Sequence, residues 1–133
     1  MPRRFANPRS ALVALLALGL LHAPLGAQAG QPDVFIATLD TAGGTVRVGT
    51  VHNITERPGY DNQPSFALDG RSVFFTSIRS DAQADIYRYS LTSRRTERVT
   101  TTASESEYSA VEVPGGGAIS VIRVERDSTQ RLW

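Results

Sequence analysis

Apolar and polar residues alternate with a period of two along most of the chain beyond residue 32, and almost no stretch has helical periodicity. In the run 45–50, for example, valines alternate with arginine and glycine. The run 72–77 is apolar at consecutive positions, which is typical of a strand buried on both faces. This pattern predicts an all-β fold. The predicted strands span residues 33–39, 45–50, 63–67, 72–77, 85–91, 95–100, 108–113, 118–124 and 130–133.

The β-rich sequence after residue 64 is echoed 46 positions later without a gap. Residues 75–79 correspond to 121–125, and residues 81–87 correspond to 127–133. A period in the forties that contains several strand-like runs is typical of a β-propeller blade. Asp69-Gly70 favours a tight turn inside this unit, because glycine accepts the positive φ that such a turn needs.

The predicted strands fall into groups of two, four and three. The groups occupy residues 33–55, 60–100 and 107–133, with polar loops at 56–62 and 101–107. This arrangement predicts a β-propeller fragment of about two to two-and-a-half four-stranded antiparallel blades. Since a propeller usually needs four or more blades, we expect the chain to stop inside a blade. Open strand edges then favour self-association of the isolated fragment.

Residues 1–29 have the features of a signal peptide. Three arginines precede an apolar segment at 11–21, which is too short to span a bilayer as a stable helix. Ala27-Gln28-Ala29 provides a small-residue cleavage site, so we expect cleavage after Ala29 and export to the periplasm or the medium. Two alternatives are an uncleaved membrane anchor and twin-arginine export through Arg3-Arg4.

Composition narrows the classes of partner. The chain contains no cysteine, which excludes disulfides and thiolate metal ligands. All 14 basic residues are arginines, and three of them lie in the leader, which contains none of the 13 acidic residues. The chain beyond the leader is therefore slightly acidic. This charge gives no electrostatic case for binding nucleic acid or an anionic membrane. We also expect no stable membrane span after cleavage.

The motifs of the complete unit resemble the TolB-like propeller repeat. Residues 64–70 (Pro-Ser-Phe-Ala-Leu-Asp-Gly), the apolar strand 73–77, Asp-Ile-Tyr at 85–87 and Arg-Val-Thr at 98–100 carry the resemblance. Ala67-Leu68 replaces the Ser-Pro of that pattern. In the second unit, Ala110, Glu112 and Gly115 replace its Pro, aromatic and Asp.

The resemblance implies an exported protein-binding platform that has six blades when complete. The same repeat also occurs in the propeller that precedes the catalytic domain of prolyl-oligopeptidase-like serine peptidases. Our first hypothesis is therefore a non-catalytic propeller segment, similar to TolB, that binds protein partners in the cell envelope. The alternative hypothesis is the N-terminal propeller portion of an exported peptidase or hydrolase whose catalytic domain lies beyond Trp133.

The sequence contains no recognisable catalytic constellation, so we predict no enzyme activity and no cofactor for this chain. A serine peptidase needs a Gly-x-Ser-x-Gly elbow, and none is present. The two histidines are His22, in the leader, and His52, which has no nucleophile beside it. Residues 115–117 are three glycines without the Lys and helix of a phosphate-binding loop, which favours a turn.

Five residues are candidates for a partner-facing site, because the loops before the innermost strands of a propeller lie near the mouth of its channel. Two interpretations of the polar ones stay open. In the first, Asp61, Asn62 and Glu107 point at a central ion or a partner. In the second, Asp61 and Asn62 cap their own loop through side-chain to main-chain hydrogen bonds. The aromatic candidates line the same surface or pack between blades. The five residues are Tyr60, Asp61, Asn62, Glu107 and Tyr108.

Overall fold

The structure is a computed structural model that describes residues 30–133. The predicted leader, residues 1–29, lies outside the described residues, and so does His22. The regular structure of the described part is β-strand apart from one short 3-10 turn at Ala42–Gly44, so the predicted all-β class is confirmed. The strands are β1 (Phe35–Asp40), β2 (Arg47–Asn53), β3 (Tyr60–Phe66), β4 (Ser72–Ile78), β5 (Asp85–Ser90), β6 (Thr96–Arg98), β7 (Ser106–Val113), β8 (Ala118–Val124) and β9 (Gln130–Leu132).

The strands form three antiparallel sheets, each built from strands that are consecutive in the chain. Sheet 1 contains β1 and β2, sheet 2 contains β3 to β6, and sheet 3 contains β7 to β9. The predicted grouping of two, four and three strands is therefore confirmed. At the turn between β3 and β4, Gly70 has a φ of 65° and donates its N–H to the carbonyl of Ala67 at 2.9 Å, as the Asp-Gly pair predicts.

Two strands begin earlier than the side-chain pattern predicts. β3 begins at Tyr60 and β7 begins at Ser106, so the predicted loop placement is wrong for Asp61, Asn62 and Glu107 as well as for Tyr60. The main chain of both segments pairs with the strand that follows it. Because a β-ladder is made by main-chain groups, polar side chains at the start of a strand do not prevent the pairing.

Sheet 2 lies between the other two sheets and packs a different face against each. Since successive residues of a strand point to opposite faces, Val73 and Phe75 of β4 point toward sheet 1, whereas Phe74 points toward sheet 3. The five central residues of β4 are buried, which confirms the predicted burial of this strand on both faces. The first junction contains Val34, Ile54, Val73, Phe75 and Tyr87, and the second contains Ala67, Phe74, Ile86, Ala110 and Val121.

A bulge recurs at the spacing of the sequence repeat. The registers of β3 with β4 and of β7 with β8 each shift once, at Gln63 and at Ser109. These residues have φ values of 52° and 54°, in the left-handed region that few residues other than glycine adopt. The Gln63 Oε1 accepts a hydrogen bond from the Ser109 N–H at 3.3 Å, 46 residues away. Equivalent bulges therefore contact each other across the second junction.

Main-chain hydrogen bonds join successive sheets at equivalent points. The N–H of Asp61 donates to the carbonyl of Pro32 at 3.0 Å, and the N–H of Glu107 donates to the carbonyl of Ala84 at 2.7 Å. Each bond fixes the start of one sheet's first strand against the preceding sheet. Asp61 and Glu107 consequently occupy equivalent positions in sheets 2 and 3.

Candidate functional site

The five predicted site residues lie at the starts of β3 and β7, in two equivalent groups. Asp61 and Glu107 are fully buried, so neither carboxylate lies on the partner-facing surface predicted for it. Tyr60 and Tyr108 are half-buried, and Asn62 is exposed. This difference follows from strand alternation, because the residue between two outward-facing ones must face inward.

Asp61 binds two arginines and a serine. Its Oδ1 accepts hydrogen bonds from the Ser77 hydroxyl and from Arg79 Nη2, the latter at 3.1 Å. Its Oδ2 lies 3.3 Å from Arg57 Nε. Arg57 also donates to the main-chain carbonyls of Pro58 and Ile78, so this guanidinium holds the loop before β3 against the end of β4. A buried carboxylate is stable here because two cations and a hydroxyl surround it.

Glu107 binds one arginine and two threonines. Its Oε1 accepts hydrogen bonds from Arg123 Nε at 3.1 Å and from the Thr102 hydroxyl, and its Oε2 accepts one from the Thr100 hydroxyl at 3.0 Å. Thr100 Oγ1 also accepts the N–H of Ile86 at 2.9 Å, which connects this carboxylate to the third strand of sheet 2. Glu107 therefore joins sheet 3 to the segment that follows β6.

An aromatic ring backs the arginine in both sheets. The Arg79 guanidinium lies 4.9 Å from the centroid of the Tyr87 ring and 5.3 Å from that of Phe75. The Arg123 guanidinium lies 4.4 Å from the Trp133 ring. The side chains of Arg79 and Arg123 are 21% and 23% exposed, so each guanidinium reaches solvent from a fixed position between a carboxylate and a ring.

A third buried carboxylate, Asp85, lies at the start of β5. Its Oδ2 is 2.7 Å from Arg98 Nη2, and the same arginine reaches Asp81 at 3.1 Å. Burial raises the pKa of Asp85 above its usual 3.8, against the lowering by Arg98, while the charges of Asp81 and Glu107 raise it further. Burial disfavours the charged carboxylate, and one shared arginine only partly offsets that cost.

Asn62 makes a local side-chain to main-chain hydrogen bond, as the second of the two interpretations above predicts. Its Oδ1 accepts the N–H of Gln63 at 2.7 Å, and its Nδ2 lies 3.4 Å from the hydroxyl of Tyr60. Asp61 makes no such cap, because its oxygens bind the arginines and Ser77. Tyr108 lies beside a cavity of about 320 Å³ that is also lined by Gln63, Ser109, Ile122, Val124 and Gln130.

The three arginines of this region were not identified from the sequence. Arg123 occupies the repeat position of Ser77, whereas Arg79 lies two residues after Ser77, just past the end of β4, so a 46-residue alignment does not place the two arginines together. The usable signal was an acidic residue at the start of each first strand and an arginine near the end of the second. We use the name strand-start surface for the half-buried and exposed side chains next to Asp61 and Glu107: Arg57, Tyr60, Asn62, Arg79, Tyr108 and Arg123.

The residues from 30 to 133 contain no group of three or more His, Asp or Glu side chains arranged to hold a metal ion. Within the same part of the chain, no helix is long and apolar enough to cross a bilayer. His52 lines a cavity of about 250 Å³ with Tyr89 and Arg94, and no serine is among the residues around that cavity. The chemistry available at the strand-start surface is hydrogen bonding and charge, supplied by arginines and tyrosines.

No protein-family model matches the chain, and no curated protein matches its sequence. Its function must therefore be inferred from its own residues and contacts.

Proposed function

We propose that this chain is part of an exported β-propeller, similar to TolB, that works as a protein-interaction module and not as an enzyme. The observation that carries the proposal is the agreement between the sequence repeat and the contacts. At a spacing of 46 residues, a bulge and a buried carboxylate recur together. Antiparallel sheets that stack face to face in chain order are the units from which propellers are built.

The strand-start surface supports protein binding as the role of the module. Tyrosine and arginine are enriched among the residues that contribute most to protein–protein affinity. Here Arg79 and Arg123 are held against aromatic rings and carboxylates, so little side-chain entropy is lost when they bind. We infer that the partner presents carboxylate or main-chain carbonyl groups to these guanidiniums.

Photo-crosslinking in the cell envelope tests this proposal. A photoreactive amino acid is placed at Tyr108 of the full chain, and the same residue is placed at Arg71, an exposed position in the β3–β4 turn, as the control. We expect a discrete crosslinked protein from position 108 and none from position 71. Equal crosslinking from both positions, or none from position 108, would contradict the proposal.

Export has a separate readout. After fractionation of expressing cells, intact mass measurement of the periplasmic material should give a chain that begins at Gly30. Full-length material confined to the cytoplasm would argue against the exported role, whatever the outcome of the crosslinking.

A further inference from the structure

A cavity of about 250 Å³ lies between sheet 1 and the end of sheet 2 that carries β5 and β6. β1 and β2 form one wall, and β5 with the turn that follows it forms the other. A strand paired with the free edge of β1 would lie on the opposite side of β1 from β2, so it would extend sheet 1 away from this cavity. The residues that line the cavity include Ile36, His52, Ile54, Tyr89, Leu91 and Arg94.

Three side chains around this cavity can donate hydrogen bonds, and none of them has a protein partner among residues 30–133. The His52 imidazole, the Tyr89 hydroxyl and the Arg94 guanidinium make no hydrogen bond or ion pair with that part of the chain. The amide of Asn53, which also lines the cavity, differs because it already donates to Asp33 at 2.8 Å. Of the residues that line the cavity, none is acidic. The cavity therefore offers a cation and hydrogen-bond donors beside apolar walls.

The equivalent positions in sheet 2 carry an acid. Equivalent hydrogen bonds align β1 and β2 with β5 and β6, so the cross-strand pair Ile36–His52 of sheet 1 corresponds to the pair Arg88–Glu97 of sheet 2. Arg88 and Glu97 form an ion pair with each other. In sheet 1 the corresponding residues are an isoleucine and a histidine, so the wall that faces Arg94 contains no carboxylate to neutralise it.

Arg94 has a backbone conformation that suits glycine better than arginine. Its φ is 55°, in the left-handed region that few residues other than glycine adopt. The equivalent turn of sheet 1, between β1 and β2, has Gly43 and Gly44 in that region, with φ values of 72° and 76°. The turn at Arg94 is fixed by its main chain, because the N–H of Arg94 donates to the carbonyl of Ser90 at 2.8 Å. Since glycine would meet the needs of this backbone at less cost, a role for the guanidinium accounts for the arginine.

We propose that this cavity binds a small organic carboxylate. The Arg94 guanidinium receives the carboxylate, because its parallel N–H groups match the two oxygens, and His52 and Tyr89 donate to it from the same cavity. The apolar walls contact the rest of the ligand. The cavity is smaller than the roughly 300–1,000 Å³ that is typical for drug-sized ligands, so the ligand is a short-chain or single-ring acid. This site shares no residue with the strand-start surface and does not depend on the proposed protein-binding role.

Titration of the full chain with sodium benzoate tests the proposal, with benzamide as the matched control because it has the same ring and no charge. Amide chemical shifts in two-dimensional NMR report the binding. We expect saturable shifts at His52, Tyr89 and Arg94 and none in β9. Benzamide should bind at least about tenfold more weakly, because it lacks the charge that pairs with the guanidinium. Equal binding of the two compounds, or no saturable shift with benzoate, would overturn the proposal.

Two neighbouring arginines distinguish a specific site from a general attraction to positive charge. Arg94→Gly removes the guanidinium and suits the backbone, so it should weaken benzoate binding at least about tenfold without lowering the midpoint of thermal unfolding. Arg95→Ala removes the same charge from the same turn, at a residue that does not line the cavity, and it should leave benzoate affinity unchanged. Equal losses in the two variants, or unchanged affinity in Arg94→Gly, would overturn the proposal.

A third variant, His52→Glu, copies the acid that sheet 2 has at the corresponding position, Glu97. The new carboxylate competes with the ligand for Arg94, so benzoate affinity should fall at least about tenfold. Because a ligand that binds the folded state stabilises it, benzoate should raise the midpoint of thermal unfolding of the parent chain but not that of His52→Glu. Full benzoate affinity in this variant would overturn the proposal. Crosslinking from position 108 should be the same in Arg94→Gly as in the parent chain, so failure of this inference leaves the proposed function in place.

Discussion

The buried carboxylates of Asp61 and Glu107 occupy equivalent positions but are neutralised by different partners. Both are fully buried, and both stand where a main-chain bond joins one sheet to the preceding one. The shorter Asp61 is paired with two arginines, Arg57 and Arg79, whereas the longer Glu107 is paired with one, Arg123, and with two threonines. Position and burial are therefore kept between the two sheets, while the identity and number of the cations are not.

A second pair of carboxylates, Asp33 and Asp85, differs in the same way. Each lies one residue before an inward-facing residue whose N–H donates to a threonine hydroxyl. Asp33 accepts hydrogen bonds from the amide of Asn53 at 2.8 Å and from Thr55, whereas Asp85 is paired with the guanidinium of Arg98. These pairs indicate that the repeat specifies backbone geometry closely and leaves the neutralising group free to vary.

The largest expected effect tests the difference in cation number. Arg123→Ala removes the one arginine paired with Glu107 and leaves a buried charge with hydroxyls alone, so we expect a loss of about 3–5 kcal/mol in the free energy of unfolding. Arg79→Ala leaves Asp61 with Arg57 and Ser77, and we expect a loss of about 1–2 kcal/mol, including the lost ring contacts. Urea unfolding at a fixed protein concentration measures both values. Equal losses would show that cation number does not distinguish the two sites.

The next prediction compares two equivalent threonines. Thr100→Val removes the acceptor for the Ile86 N–H and a donor to the buried Glu107, so we expect a loss of about 2 kcal/mol. Thr55→Val removes the acceptor for the Val34 N–H and a donor to a carboxylate that keeps its bond from Asn53, and about 1 kcal/mol should be lost. Thermal melting, monitored by circular dichroism, shows which of the two variants loses more stability. The reverse order would mean that the Glu107 site does not depend on its hydroxyl partners.

The two bulges give a smaller effect with opposite signs. Ser109 holds a φ of 54° and only its main chain is hydrogen-bonded, so Ser109→Gly should stabilise the fold by about 0.5–1 kcal/mol. Gln63→Gly relieves the same backbone conformation but deletes the side chain that accepts from Thr76 and Ser109. We expect that variant to be neutral or less stable than the parent chain. Stabilisation of both variants would show that the Gln63 contacts carry no energy.

The smallest effect is a pH dependence at Asp85. Its pKa is raised in the folded chain, so between pH 3.8 and that raised value the folded state holds more protons than the unfolded state. The free energy of unfolding must therefore fall as the pH rises through this window. Asp85→Asn should remove that decline when unfolding is measured across the window.

Asp127 provides an internal contrast for that measurement. Hydrogen bonds from Thr129 lower the pKa of this carboxyl below 3.8, so its contribution to stability is present above pH 3.8 and is lost as the pH falls through the lowered value. Asp85→Asn should leave this acid-side loss in place. If the substitution altered the acid side and left the higher window unchanged, the assignment to Asp85 would be wrong.

Much of the fold was predictable, because side-chain alternation and turn residues are signals within a few positions and the repeat has no gap. The nine strands, their grouping and the burial of β4 on both faces followed from those signals. The starts of β3 and β7 were not predicted, because Tyr60, Asp61 and Glu107 follow polar residues typical of a loop, and only main-chain pairing with the following strand shows that they belong to the strands. The arginines were not predicted, because Arg79 and Arg123 occupy different positions in the repeat. Only the packing of the folded chain brings each arginine to its carboxylate.

By itself, the sequence determined which segments form strands, which strands are neighbours and which of them is buried on both faces. Periodicity and turn chemistry are encoded within a few residues, so no distant contact is needed to read them. Tertiary structure alone decided that the two candidate carboxylates are buried and that arginines neutralise them. Those properties depend on which side chains meet across a junction, and that is settled only when the three sheets stack.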